Sequence, residues 1–326
     1  MSLLIVPTFV LLKSLEPAIG PINAVAISPD RRWVTSAGGS SIHWQSRGPR
    51  TWSLQLYDLT EQKLWNLAEA NKWQLHKADI NVLCFSLDGS QLLLGSSDYH
   101  THPSVSAWDV GGRSAQFALK PKEGYTLGIA AHPGRETFFT GGADGIIRQW
   151  SIQGIEREQR KWKAHNGTIF TLCLCADRQH LYSGGENYGE HIIRVWNCES
   201  GKEVMALRGH DHSVRSMALS PNGQTLATGS DQRIKLWDTA TGELRRSFFG
   251  HPDWVRGLAI TPDNQFLISA GDPNIKIWDL ATGQKLTTIA AHDAPIRSLA
   301  LSQDSSLLVT GSSDGVVKIW QWQKEN

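Results

Sequence analysis

Apolar residues in this chain come in short runs, each closed by a turn. Met217-Ala218-Leu219 and Leu299-Ala300-Leu301 read as strands buried on both faces. Pro-Asn-Gly at 221–223 and Gln-Asp-Ser at 303–305 are the turns that follow them. A second run comes next, Leu226-Ala227-Thr228 or Leu307-Leu308-Val309. A Gly/Ser/Asp turn then leads to an alternating third strand, Ile234-Lys235-Leu236-Trp237, and Thr241-Gly242 or Thr282-Gly283 precedes a fourth. The pattern predicts units of four short antiparallel strands. One such sheet cannot bury both its faces alone, so the units must pack against one another.

The unit repeats. GHDHSVRSMALSPNGQTLATGSDQRIKLWD from Gly209, GHPDWVRGLAITPDNQFLISAGDPNIKIWD from Gly250 and AHDAPIRSLALSQDSSLLVTGSSDGVVKIWQ from Ala291 align almost without gaps. Weaker copies start at Ala164, Gly124, Lys77 and Gly20. The aromatic anchors near their ends are Tyr57, Trp108, Trp150, Trp196, Trp237, Trp278 and Trp320. A period of about 40–45 residues, with Gly-His near the start and Trp-Asp near the end, makes the chain similar to the WD40 family. The wording Trp-Asp-x-Ala-Thr-Gly resembles that of bacterial members.

The resemblance implies an all-β fold, a seven-bladed WD40 β-propeller formed as one domain over residues 1–326. Repeat seven stops at its third strand. Alignment with repeat six assigns the missing outer strand to Thr8–Leu15, so the N-terminal strand is expected to pair with the last blade and remove an open edge. The resemblance also implies a buried hydrogen-bond chain in the regular repeats. Its members are His210, Thr228, Asp231 and Trp237 in repeat five, His251, Ser269, Asp272 and Trp278 in repeat six, and His292, Thr310, Asp314 and Trp320 in repeat seven. Indole is donor-only, a hydroxyl both donates and accepts, and imidazole can bridge to the carboxylate. A catalytic triad is needed once, not three times at a fixed period, and no G-x-S-x-G elbow is present, so these sets read as structural. Repeat four keeps His165, Ser183 and Trp196 with Glu190 in place of the Asp. Repeat three keeps Thr140, Asp144 and Trp150 without the His.

Composition narrows the function. Six of the 14 tryptophans are copies of the repeated anchor. Lys+Arg total 32 against 31 Asp+Glu, a net charge of +1, which offers no electrostatic footprint for nucleic acid or an anionic membrane. The four cysteines are too few and too scattered for a disulfide framework, and Cys173 and Cys175 lie in an apolar run as inert core thiols. A reducing, cytoplasmic setting follows. No stretch reaches the ~18–20 apolar residues of a membrane span. The apolar stretch Met1–Leu12 lacks a basic leader region and is explained by the closing strand.

Binding residues are expected where the repeat breaks. Repeats one, two and four carry insertions between their second and third strands, and by family resemblance all three project from the top face. They supply Trp44, Arg47, Arg50, Tyr99 and Tyr188, residue types that anchor protein interfaces. The first strands of repeats five, six and seven begin at Arg215, Arg256 and Arg297, aligned with Asn23, Asn81, Leu127 and Phe170 of the other repeats. With Trp254 beside Arg256 they form a basic arc suited to carboxylates or phosphates, unless Asp211, Asp253 and Asp293 neutralise it. His100 and His102, with His43 or His191, are a weak metal constellation. No metal and no cofactor are expected, and no Walker, Rossmann or zinc-finger spacing occurs. The expected function is a non-enzymatic protein-interaction scaffold, a monomeric propeller within a larger assembly, binding a protein partner or acidic peptide on its top face. The alternatives are an enzyme or small-ligand binder using the channel mouth, and an RNA-associated propeller.

Overall fold

A computed structural model describes residues 8–15, 20–39, 52–67, 79–97, 104–119, 125–132, 136–152, 158–175, 177–186, 189 and 191–323. All of its regular structure is β. The strands form seven four-stranded antiparallel sheets, the blades of a propeller. Strand β1 (Thr8–Leu15) comes first in the chain and belongs to the last blade. Blade one is β2 (Ile22–Ile27), β3 (Trp33–Gly39), β4 (Trp52–Asp58) and β5 (Lys63–Asn66). Blade two is β6 (Asp79–Phe85), β7 (Gln91–Ser97), β8 (Val105–Asp109) and β9 (Ser114–Leu119). Blade three is β10 (Thr126–Ala131), β11 (Thr137–Gly142), β12 (Ile146–Ser151) and β13 (Glu158–Lys163). Blade four is β14 (Ile169–Leu174), β15 (His180–Gly185), β16 (His191–Asn197) and β17 (Glu203–His210). Blade five is β18 (Ser216–Leu219), β19 (Thr225–Gly229), β20 (Arg233–Asp238) and β21 (Leu244–Phe249). Blade six is β22 (Gly257–Ile260), β23 (Phe266–Ala270), β24 (Asn274–Asp279) and β25 (Lys285–Ala290). Blade seven joins β26 (Ile296–Leu301), β27 (Leu307–Ser312) and β28 (Val317–Gln323) to β1.

The closure follows the sequence alignment. Antiparallel pairing places Phe9 opposite Trp322, Leu11 opposite Trp320 and Leu15 opposite Val317. The first strands stand side by side around the axis, and β26 neighbours β2 to complete the ring. Core burial is distributed between blades rather than within one centre. Seven apolar clusters occupy the seven junctions, and each anchor aromatic belongs to one of them. The second strands are the most buried: every residue of β3, β11, β19 and β23 is covered. Outer strands face solvent, and β13 and β21 are mostly exposed. The described part of the basic run, 158–163, therefore falls on a solvated outer strand. In the Gly-Gly-Ala-Asp-Gly turn, Gly145 has φ 66°, and a Cβ there would meet the His165 carbonyl oxygen at 2.1 Å. Glycine is required for the turn itself.

The buried chain forms in blades four to seven. Trp237 Nε1 donates to Thr228 Oγ1 at 2.8 Å, and that hydroxyl lies 2.7 Å from His210 Nε2. The same links join Trp278, Ser269 and His251 (2.8 and 2.8 Å), and Trp320, Thr310 and His292 (3.0 and 2.8 Å). Blade four has Trp196, Ser183 and His165 at 2.8 and 2.7 Å. The hydroxyl accepts from the indole and still has one proton and one lone pair for Nε2; where Nδ1 faces a carboxylate, as in blade seven, the ring proton sits on Nδ1 and the hydroxyl donates to Nε2. In blade seven His292 Nδ1 meets Asp314 at 3.1 Å. In blade six His251 Nδ1 lies 3.1 Å from Asp272, close but out of line for a hydrogen bond. Blade five corrects the expectation. Asp231 lies 3.7 Å from His212 Nε2, at the rim, and among the described residues His210 has no acidic partner.

Blade three keeps the Trp150–Thr140 bond at 2.7 Å, while Asp144 pairs with Arg148 at 2.6 Å in the absence of a histidine. Blade two loses the bond altogether. Register places Leu94 at the hydroxyl position, two residues beyond the strand partner of Trp108. Trp108 Nε1 is buried with no partner among the described residues. None of the four cysteines is in a disulfide, and burial pushes the Cys84 and Cys173 thiols up to about 12, which makes those two inert.

Candidate functional site

The first strands all begin at one end of the ring, the top. Their first inward residues converge there on a cavity of about 230 Å³ lined by Asn23, Asn81, Leu127, Phe170, Arg215, Arg256 and Arg297. Each blade contributes the same register position, so neighbouring blades bring residues about one repeat apart into one site. Blades five, six and seven supply arginine and the other four supply Asn, Leu or Phe. The cationic side of the mouth is therefore one contiguous arc.

Arg215 is held by its faces. Its guanidinium carbon lies 4.3 Å from the Phe170 ring centroid and 4.4 Å from that of Trp254. Rings on both sides leave only the guanidinium edge to bond, and Nε is buried with no partner among the described residues. Arg297 is held by its edge: Nε donates to Ser313 at 2.7 Å and Nη1 to Asn23 Oδ1 at 2.9 Å. Asn23 in turn donates to the Ile80 carbonyl at 3.2 Å, which ties the arc to blade two. Arg256 stands between them. Burial first, and then the Arg256 charge, lower the pKa of both Arg215 and Arg297, with Glu186 and Asp79 respectively acting in the opposite sense.

The acids that could have neutralised the arc do not. Among the described residues none of the three arginines forms an ion pair, and Asp253 instead accepts from the Trp254 amide at 2.7 Å. The arrangement presents fixed donors and positive charge to the axis, chemistry that suits a carboxylate or phosphate. Trp254 extends the surface outward. Its ring meets His212 edge-on at 6.3 Å, and His212 stacks on His191 at 6.1 Å. Phe170 and His212 were not singled out from the sequence. Phe170 stood at the aligned position, but nothing in one repeat announces a clamp closed by residues of three blades.

The other predicted binding residues, Trp44, Arg47, Arg50, Tyr99 and Tyr188, lie outside the described residues, as do His43, His100 and His102. Among the described residues no cluster of His, Cys, Asp or Glu could hold a metal ion. No described helix is long and apolar enough to cross a membrane.

The sequence profile of the family described as WD40, WD domain, G-beta repeat, matches residues 10–44, 156–197, 201–238, 242–279 and 283–321. The long unmatched stretch, residues 45–155, covers the second half of blade one, blade two and the first three strands of blade three. The chain is 26% identical over 158 residues to a guanine nucleotide-binding protein G(I)/G(S)/G(T) subunit beta-1 of Homarus americanus, covering 48% of this chain and 44% of that protein. It is 21% identical over 219 residues to the target of rapamycin complex subunit wat1 of Schizosaccharomyces pombe, covering 66% and 63%. It is 30% identical over 150 residues to the small ribosomal subunit protein RACK1y of Oryza sativa, covering 43% and 38%. The matched region thus spans less than half the length of the beta-1 relative. A chain in the crystal structure of a mitotic checkpoint complex superposes with a TM-score of 0.80 over 97% of this chain and 92% of that one, at 21% identity, which shows a shared fold. With the repeats, the closed ring and the profile in agreement over more than half its residues, the chain belongs to the WD40 family.

Proposed function

We propose that this propeller is a non-enzymatic protein-interaction scaffold, and that its top mouth takes an acidic segment of a protein partner. The observation that carries the reading is the arc itself: three arginines on adjacent blades, aimed at one cavity, unpaired by any acid among the described residues. Holding Arg215 between two rings fixes its geometry before a ligand arrives, which lowers the ordering cost of binding. The relatives named as subunits of assemblies support a role within a larger complex; there the chain is proposed to act as one monomeric, single-domain propeller in the cytoplasm. The inserted segments bearing Trp44, Arg47, Arg50, Tyr99 and Tyr188 are proposed to extend the contact surface.

Fluorescence anisotropy with a labelled hexaglutamate peptide tests the reading. Arg256→Gln should weaken binding by about tenfold, the loss of one charge-assisted contact. Raising salt to about 0.5 M should weaken it further, because the mouth is open to solvent. Equal binding by the parent and an Arg215→Gln, Arg256→Gln, Arg297→Gln variant, or binding indifferent to salt, overturns it.

A further inference from the structure

The grooves between blades on the bottom side, where first strands turn into second strands, differ in a way the repeats conceal. Outer strands in six blades carry a one-residue bulge opposite the anchor tryptophan, at Leu12, Gln116, Gln159, Val204, Arg245 and Leu286. In blade five the bulge residue is Arg245, and its guanidinium has a seat. It donates to Thr225 Oγ1 at 3.2 Å and pairs with Asp238. There it lines a groove of about 380 Å³ with Asn222 and Leu280.

The corresponding groove between blades two and three is wider, about 460 Å³. Register puts Gln116 in the place of Arg245, Gln91 in that of Thr225, and Ile152 in that of Leu280. Among the described residues no lysine or arginine lines it. Two side-chain oxygens in its walls, Gln91 Oε1 and Thr137 Oγ1, are buried without a hydrogen-bond partner, and Thr137 is only 8% exposed. Leaving such atoms unpaired is costly unless something fills the groove. Asp88 borders the same space, with its carboxylate fixed by the Ser86 and Ser90 hydroxyls at 2.5 and 2.7 Å. Those hydrogen bonds hold its pKa below the usual carboxylate range, so the negative charge persists at neutral pH. Blade five shows what such a groove accommodates: there Thr225 and Asp238 seat the guanidinium, whereas here the counterpart of Asp238, Asp109, lies outside the lining and the bordering charge is Asp88, at the position of Asn222.

We propose that the groove between blades two and three binds a guanidinium group from outside the chain, the side chain of an arginine, with Asp88, Gln91 and Thr137 as its acceptors. The groove lies at the opposite end of β6 from Asn81, hence on the other side of the ring from the arginine-lined mouth, and does not rest on the acidic-segment reading.

Titration calorimetry on the full chain with N-acetyl-arginine methylamide tests this. The citrulline counterpart, equal in shape but neutral, should bind at least about tenfold more weakly. Gln116→Arg should seat its own guanidinium and weaken the probe by at least about tenfold, while hexaglutamate binding at the mouth stays unchanged, which also reports that the variant is folded. Asp88→Asn should give a several-fold loss without filling the groove. Free arginine binding as tightly as the capped form supports a small-molecule source, and preference for the capped form supports a peptide. No saturable binding up to about 10 mM probe, equal binding of the citrulline compound, or a Gln116→Arg variant that binds like the parent overturns the proposal.

Discussion

Blade five and blade two bury their anchor tryptophans equally: Trp237 and Trp108 are each 1% exposed. They differ in what the indole N–H meets. Trp237 donates to Thr228, which passes the chain on to His210; Trp108 has Leu94 at the same register and no partner among the described residues. The anchor's packing thus survives the loss of its hydrogen bond. Apolar area between blades holds the ring together, worth roughly 25 cal/mol for each Å² removed from water. The polar chain adds a further, smaller increment and fixes which rotamer each ring adopts. An insertion between second and third strands does not decide the matter, since repeats two and four both carry one, and blade four keeps the chain while blade two, with Leu94 at the hydroxyl position, does not.

The comparison breaks most visibly if the anchors themselves are removed. Trp237→Ala and Trp108→Ala should each cost about 3–5 kcal/mol, because each empties a closed junction between blades. Urea unfolding measures both. A Trp108→Ala cost far below that of Trp237→Ala would mean that blade two is held by something other than its anchor.

Acid sharpens the same contrast. Burial is the first cause that lowers the imidazole pKa of His165 and His251 to about 4 and of His210 to about 3. The Asp272 charge opposes the shift in His251 without reversing it. The unfolded chain titrates its histidines near 6.5. Between those values the unfolded state binds more protons than the folded one, so stability is full above about pH 6.5 and falls as the pH drops toward 4. Each of the three should contribute about 1 kcal/mol per pH unit in that window. Blades one and two have no buried histidine among the described residues and should add nothing. Urea midpoints at about pH 7, 6 and 5 check this, and a His251→Asn variant should show a shallower fall. Midpoints that do not move across the window would show these rings to be solvated.

The ring and its closure were legible because each depends on a pattern printed several times. Ile22 aligned with Ile296 fixes where blade one starts, and the residues left over before it can only be an outer strand. The hydrogen-bond chain was legible where the spacing between hydroxyl and tryptophan is constant, as for Thr228 and Ser269. It was not legible in blade two, where the insertion shifts the count and hides Leu94. The arginine arc could be read from alignment of first strands. The clamp of Phe170 and Trp254 on Arg215 could not, since it depends on how three blades meet rather than on any one of them. Asp231 went astray for a related reason. Its expected place came from blades six and seven, but His212 offers it a nearer partner at the rim, and neither neighbouring blade has a histidine at that position.

The smallest effect isolates the hydrogen bond from the packing. Leu94→Thr places a hydroxyl where blades three, five and seven have one, next to the unpartnered indole of Trp108. The change removes buried apolar volume and supplies an acceptor, two terms of about 1 kcal/mol and opposite sign, so the single variant should lie within about 1 kcal/mol of the parent. Repeating the substitution in a Trp108→Phe background removes the donor and leaves the volume loss. There Leu94→Thr should cost about 1 kcal/mol more than in the parent, because the new hydroxyl has no indole to bond. A coupling near zero would mean that the hydroxyl and indole do not meet in blade two, and that its geometry, not only its residue at 94, has departed from that of blade five.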